Sequence, residues 1–136
     1  MVILESCGKI MHYIADFERA EDFYFYDDQS RFNASLMLLT NIGESTQKIT
    51  TETKTIHHTI DWVKIKDMRN RIAHNYIGID YEMVFDIILE ELPVLISKIE
   101  NLINTEIKQE VFDIEELKST IPSPFYKHVN ISKILS

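Results

Sequence analysis

Cysteine, proline and glycine are all scarce in this chain, and each scarcity closes off a class of protein. The single cysteine, Cys7, can form neither an intramolecular disulfide nor a Cys-cluster zinc site, and it suits a reducing compartment, the cytoplasm. Three glycines and three prolines in 136 residues are too few for a fibrous or disordered chain. Long apolar runs are missing as well. No stretch reaches membrane-spanning length, and MVILESCGKIMHYIADFERAED places Glu5, Lys9 and Asp16 where a signal peptide would be unbroken. Basic residues are the minority, 14 against 22 acidic, giving a net charge of -8 and a pI near 5.0. That balance disfavours the broad cationic surface that wraps duplex DNA.

What remains is 45% hydrophobic and 26% charged, the balance of one folded domain able to bury a core by itself. The periodicity is helical. Ile3, Cys7, Ile10, Ile14 and Phe17 recur at steps of three and four, predicting a first amphipathic helix over residues 3–17. EDFYFYDDQSRF alternates aromatics, but its Asp27, Asp28 and Ser30 read as a connection ending in an N-cap. A second helix is predicted from about Arg31 to about Thr50, followed by TTETKT as a polar loop that runs on through His57 and His58. Adjacent histidines on a helix would point about 100° apart, a poor grip on one metal ion. A third helix, with Trp62, Ile65, Met68 and Ile72 on one face, unwinds at NYIGID around Gly78.

Asp80 is placed to cap the longest helix, whose apolar positions run from Tyr81 to Ile103 and which Pro93 should kink. Asp113 and Glu116 suggest one more short helix, and IPSPFYKHVNISKILS reads as an irregular tail. The expected fold is all-α: an antiparallel four-helix bundle with additional short helices, occupying residues 1–108, with a short helix and irregular tail over 109–136.

One stretch stands apart from the acidic remainder. Residues 62–79, WVKIKDMRNRIAHNYIGI, hold Lys64, Lys66, Arg69 and Arg71 against one acid, Asp67, a local charge of +3. Arg69 offers planar donors that match phosphate oxygens, and His74 exchanges protons near neutrality. Those are the roles RNA self-cleavage requires. A base takes the 2′-hydroxyl proton, that oxygen attacks phosphorus, an acid protonates the departing 5′-oxygen, and cations stabilise the added charge, with no metal in the scheme.

Geometry limits one chain. Positions 69 and 74 lie about 140° apart around an ideal helix and about 7.5 Å along it, whereas Asn70 and His74 share a face, so Asn70 is placed to orient the imidazole. A second copy packed about a two-fold axis would bring Arg69 of one protomer towards His74 of the other.

RNRIAHNY, residues 69–76, matches Arg-x4-His-x-Tyr and so resembles the HepT-like toxins of the HEPN superfamily of small helical ribonucleases. ASLMLLTNIGES (34–45) is similar to the family's second-helix signature ending in Ile-Gly-Glu, IDWVKIKDMRNRIAHNY to its approach to the motif, and GIDYEMVFDIILEELPVL to its following helix. The resemblance covers roughly residues 3–105; the tail from about 109 has no counterpart. It implies a homodimer with Arg69 and His74 of both chains in an interfacial cleft and metal-independent endoribonuclease activity. It also implies a partnership with an MntA-type nucleotidyltransferase antitoxin that transfers AMP to Tyr76 and silences the toxin. No cofactor is implied.

Each of these residues also has an ordinary reading. Arg69 can pair with an acid at a helix end, His74 can be structural, Asn70 a surface amide, and Tyr76 an amphipathic plug at the bundle edge. Arg71 and Lys66 add positive potential and are candidate RNA contacts, or are solvated charges, as Lys64 is. Gly43 and Glu44 read as packing and close helix approach. The aromatics of DFYFYDD read as core or partner contacts. A different class of function stands beside the ribonuclease: some bundles of the superfamily serve a nucleotidyltransferase as non-catalytic binding or regulatory subunits, and those typically lack the Arg-x4-His motif.

Overall fold

A computed structural model describes residues 1–108 and 126–135, and among these residues all regular structure is helical. The first helix, α1 (Val2–Ile14), buries the stripe expected of it: Ile3, Cys7, Ile10 and Ile14. It ends before Phe17, whose N–H closes a turn onto the Ile14 carbonyl.

The aromatic segment that follows is not a plain connection. Ala20–Phe25 form a short helix, α2, because Phe23 is wanted in the core: it is 1% exposed and meets Phe17, Phe32 and Phe85 at ring distances of 5.6–6.2 Å. Burying one such ring contributes roughly 1.5–3 kcal/mol, more than the local polar pattern can oppose. Tyr24 of the same helix stacks on Tyr81 at 4.4 Å. The chain then reverses through Asp27, Asp28 and Gln29, all at positive φ (47°, 53° and 66°). Aspartate tolerates that left-handed region better than most residues, and three in succession make a sharp entry to the next helix.

That helix, α3 (Ser30–Gln47), begins one residue earlier than expected, and Ser30 lies within it rather than capping it. The Ser30 hydroxyl instead donates to Asp27 Oδ2 at 2.8 Å. The polar run expected as a loop is a second correction. Thr51–Ile56 form α4, started by Thr50, whose hydroxyl accepts from the Thr53 N–H at 3.2 Å. A threonine N-cap overrides the weak helix propensity of the threonines behind it. His57 and His58 do lie in the turn after α4, yet His57 is not a bystander: its Nε2 stands 3.1 Å from Glu106 Oε1 with both side chains nearly buried.

α5 (Trp62–His74) and α6 (Tyr81–Glu90) flank the 75–80 loop, and Asp80 caps α6 as expected, accepting from Glu82 N–H at 3.0 Å and Met83 N–H at 3.3 Å. The long final helix of the sequence reading is two. α6 gives way to α7 (Leu92–Lys108) at Glu91, two residues before Pro93, which has no N–H to give the Leu89 carbonyl.

Residues 126–130 are irregular and Ile131–Leu135 form α8. Val129 and Ile134 enter the core, and the His128 N–H donates to buried Glu5 Oε2 at 2.7 Å. The short helix expected from Asp113 and Glu116 lies outside the described residues. In the assembled bundle α3 sits between α1 and α5, while α7 contacts α1, α6 and α8. No described helix is long and apolar enough to cross a membrane.

Candidate active site

The candidate functional residues lie on the C-terminal half of α5 and the loop that follows it. Its start is secured twice: Asp61 Oδ1 accepts from the Lys64 N–H at 3.0 Å, and Trp62 Nε1 donates to the carbonyls of Lys54 and His57 at 3.2 Å each. Lys64 pairs with Glu91 at the α6–α7 junction, and that carboxylate holds its ammonium pKa above the ordinary value. Ile65 and Met68 are half-buried against the core and Ile72 is fully buried, so the face turned to solvent carries Lys66, Arg71 and His74.

Arg69 lies at the boundary between those faces. Its stem runs over Gly43 of α3 so closely that a Cβ there would stand 2.3 Å from the Arg69 Cβ. Its guanidinium spans two acceptors: Nη1 donates to Asn70 Oδ1 at 3.0 Å, and Nη2 stands 3.4 Å from Glu44 Oε1. Its Nε is buried with no hydrogen-bond partner. A guanidinium has five N–H groups, so two contacts leave donors for an anion.

Asn70 is therefore engaged by Arg69, and among the described residues no hydrogen bond joins it to His74. His74 is the last residue of α5 and is exposed. Asn75, at φ -140° and ψ 47°, leaves the helix, so the helical phase that would set Tyr76 above Arg69 stops one residue too soon. Tyr76 instead occupies the 75–80 loop, 48% exposed, beside Ile77 at 97%. Gly78 lets this loop fold tightly, since a Cβ there would meet Asn75 Oδ1 at 2.7 Å. Arg71 Nη1 donates to Met83 Sδ at 3.0 Å, and Lys66 projects into solvent.

The structure thus brings Arg69, Asn70 and Glu44 together and leaves His74 and Tyr76 on open surface without a hydrogen bond to Arg69. Glu44 was expected only to pack; its sequence signal was its place directly after the glycine that admits Arg69. An apolar cavity of about 250 Å³ lies between the first half of α5 and the α6–α7 junction, is lined by Ile65, Met68, Leu92 and Leu95 among others, and includes neither Arg69 nor His74. His74 and Tyr76 are thus presented on the surface and not in that cavity. Among the described residues no group of three or more His, Cys, Asp or Glu side chains is placed to hold a metal ion.

Comparison with known proteins identifies the family. The family described as "Ribonuclease HepT-like" matches residues 3–102. "Probable ribonuclease HepT" of Thermococcus cleftensis is 31% identical over 102 residues, 73% of this chain and 91% of that protein. "Putative RNase TTE0752" of Caldanaerobacter subterraneus is 28% identical over 107 residues, 76% of this chain and 90% of its own length. "Putative RNase MJ0127" of Methanocaldococcus jannaschii is 28% identical over 101 residues, 74% and 81% respectively. No solved structure matches significantly. With that span matched, the chain belongs to the HepT-like ribonuclease family.

Proposed function

We propose that this protein is a metal-independent endoribonuclease toxin, active as a homodimer in the cytoplasm and restrained by an MntA-type nucleotidyltransferase antitoxin. The observation that carries the reading is the pairing on one helix of a guanidinium with unused donors, Arg69, and a solvent-exposed imidazole, His74. Arg69 holds the scissile phosphate. His74 takes the 2′-hydroxyl proton in one role and protonates the departing 5′-oxygen in the other, so the bond from phosphorus to the 5′-oxygen breaks as the cyclic phosphate forms. Asn70 assists by holding Arg69 Nη1, and Arg71 and Lys66 supply further contacts to the RNA backbone.

Dimerisation answers the separation of the two motif residues around α5. Two copies related by a two-fold axis supply two guanidiniums and two imidazoles to a common groove, so acid and base come from different chains. Tyr76 is the regulatory acceptor. The residue is about half exposed, which supports modification by a second enzyme: the phenolic oxygen attacks the α-phosphorus of ATP, pyrophosphate leaves and the proton passes to solvent. The tyrosyl-AMP phosphate then lies beside the motif, where it repels RNA and offers Arg69 a competing anion.

The test compares wild type, Arg69→Ala and His74→Ala on total RNA in EDTA. Wild type should cut, and loss of the imidazole should lower the rate by about 10²- to 10⁴-fold. Incubation with the nucleotidyltransferase and ATP should add AMP to wild type and none to Tyr76→Phe, read by mass spectrometry. If wild type leaves RNA intact while still binding the nucleotidyltransferase, the chain is a non-catalytic subunit and the ribonuclease reading falls.

A further inference from the structure

We infer that Glu44 is a positioning residue of the ribonuclease site, aiming the Arg69 guanidinium and competing with the RNA phosphate for its Nη2 donors. The inference rests on the ribonuclease reading above and deepens it. Three neighbouring features of the fold converge on one side chain. Gly43 lacks the Cβ that would stand 2.3 Å from the Arg69 Cβ. The next residue, Glu44, sets its Oε1 3.4 Å from Nη2, and Asn70 Oδ1 takes Nη1 at 3.0 Å. Held at its two terminal nitrogens, the guanidinium plane has a defined direction.

The pair is not a stability device. Side-chain exposures of 31% for Arg69 and 52% for Glu44 leave water around both charges, and exposed pairs of that kind contribute little to folding. Its consequence is therefore in placement and competition. A carboxylate and a phosphate monoester or diester present the same kind of oxygen to the same N–H groups. Glu44 thus keeps an anion on Arg69 in the free enzyme, and the RNA phosphate must compete with it. Because Nη2 carries two hydrogens, the carboxylate can also retain one while phosphate takes the second. That arrangement aims Arg69 during the reaction.

The role predicts opposite movements in two kinetic constants. Glu44→Gln keeps the shape and an acceptor oxygen but removes the competing charge, so KM for RNA should fall about two- to fivefold while kcat falls because the guanidinium is aimed less firmly. Glu44→Ala should lower kcat further. A merely structural role would reduce kcat with the fraction of folded protein and leave KM where it is. Binding of a fully 2′-O-methylated oligoribonucleotide, which lacks the attacking hydroxyl, should tighten by the same factor in Glu44→Gln. Thermal melting of both variants checks the fold.

If wild type cuts RNA and His74→Ala does not, yet the Glu44 variants keep wild-type KM, kcat and analogue affinity, the positioning role is overturned and the ribonuclease stands. If wild type cuts no RNA, the ribonuclease reading falls on that result alone. The analogue titration still decides the other question: unchanged affinity in Glu44→Gln overturns the competition between carboxylate and phosphate, and tighter binding upholds it.

Discussion

No side chain fits between Gly43 and Arg69: a Cβ on the glycine would stand 2.3 Å from the arginine Cβ and 2.8 Å from its Cγ. α3 and α5 therefore approach through bare backbone at the point where the stem of Arg69 crosses. Gly43→Ala gains about 1 kcal/mol of helix propensity but forces the two helices apart, and overpacking of this kind costs about 1–3 kcal/mol. The expected result is a lowered urea midpoint, a net loss of about 1 kcal/mol, together with reduced RNA cleavage as Arg69 shifts. A variant more stable than wild type, with full activity, would show that the clash is relieved elsewhere.

His57 Nε2 and Glu106 Oε1 meet at 3.1 Å across the turn after α4, with side-chain exposures of 11% and 6%. Removing one member strands the other in a poorly hydrated position. Glu106→Ala and His57→Ala should each destabilise by about 1–3 kcal/mol, and the double variant should lose clearly less than their sum. Additive losses in chemical denaturation would mean that the two side chains do not depend on each other.

Asp80 receives two backbone N–H groups at the start of α6 and closes the loop that carries Tyr76. Asp80→Ala should reduce stability by about 1 kcal/mol and speed hydrogen exchange at the amides of Glu82 and Met83. Unchanged exchange at those two amides would remove the cap from the account of this loop.

Burial pushes the Cys7 thiol up to about 12 from its ordinary 9.0. A raised acid keeps its proton in the folded chain while the unfolded chain releases it. The contribution to stability is thus intact below pH 9 and declines as pH rises from about 9 towards 12, by up to about 1.4 kcal/mol per pH unit. Cys7→Ala should lose stability less steeply over that window than wild type. The native thiol should also resist disulfide reagents at pH 8 and react once the chain is unfolded.

Much of the candidate site is legible in the sequence. Arg69, Asn70, His74 and Tyr76 stand out as a dense polar set in an acidic chain, and the amphipathic stripe of Ile65, Met68 and Ile72 dictates which side of α5 faces the core. The Asp80 cap was legible for the same reason: a cap is made by residues adjacent in sequence. The relation that misled was the one that assigned Asn70 to His74, since its Oδ1 accepts from Arg69 instead. Threonine-rich α4 and aromatic α2 were read by local propensity, and tertiary burial and capping outweighed it.

By itself the amino-acid order determined an all-helical chain with its apolar stripes, the cationic window on an acidic background, and the Arg-x4-His-x-Tyr spacing of residues 69–76. Those properties depend on residues a few positions apart, where backbone periodicity alone decides which side chains are neighbours. Only the packed bundle decided that Glu44 and Gly43, 25 and 26 residues upstream of Arg69, hold it, that His57 finds Glu106, and that Val129 and Ile134 return to the core. Such partnerships follow from how helices cross in space, and no local repeat encodes the crossing.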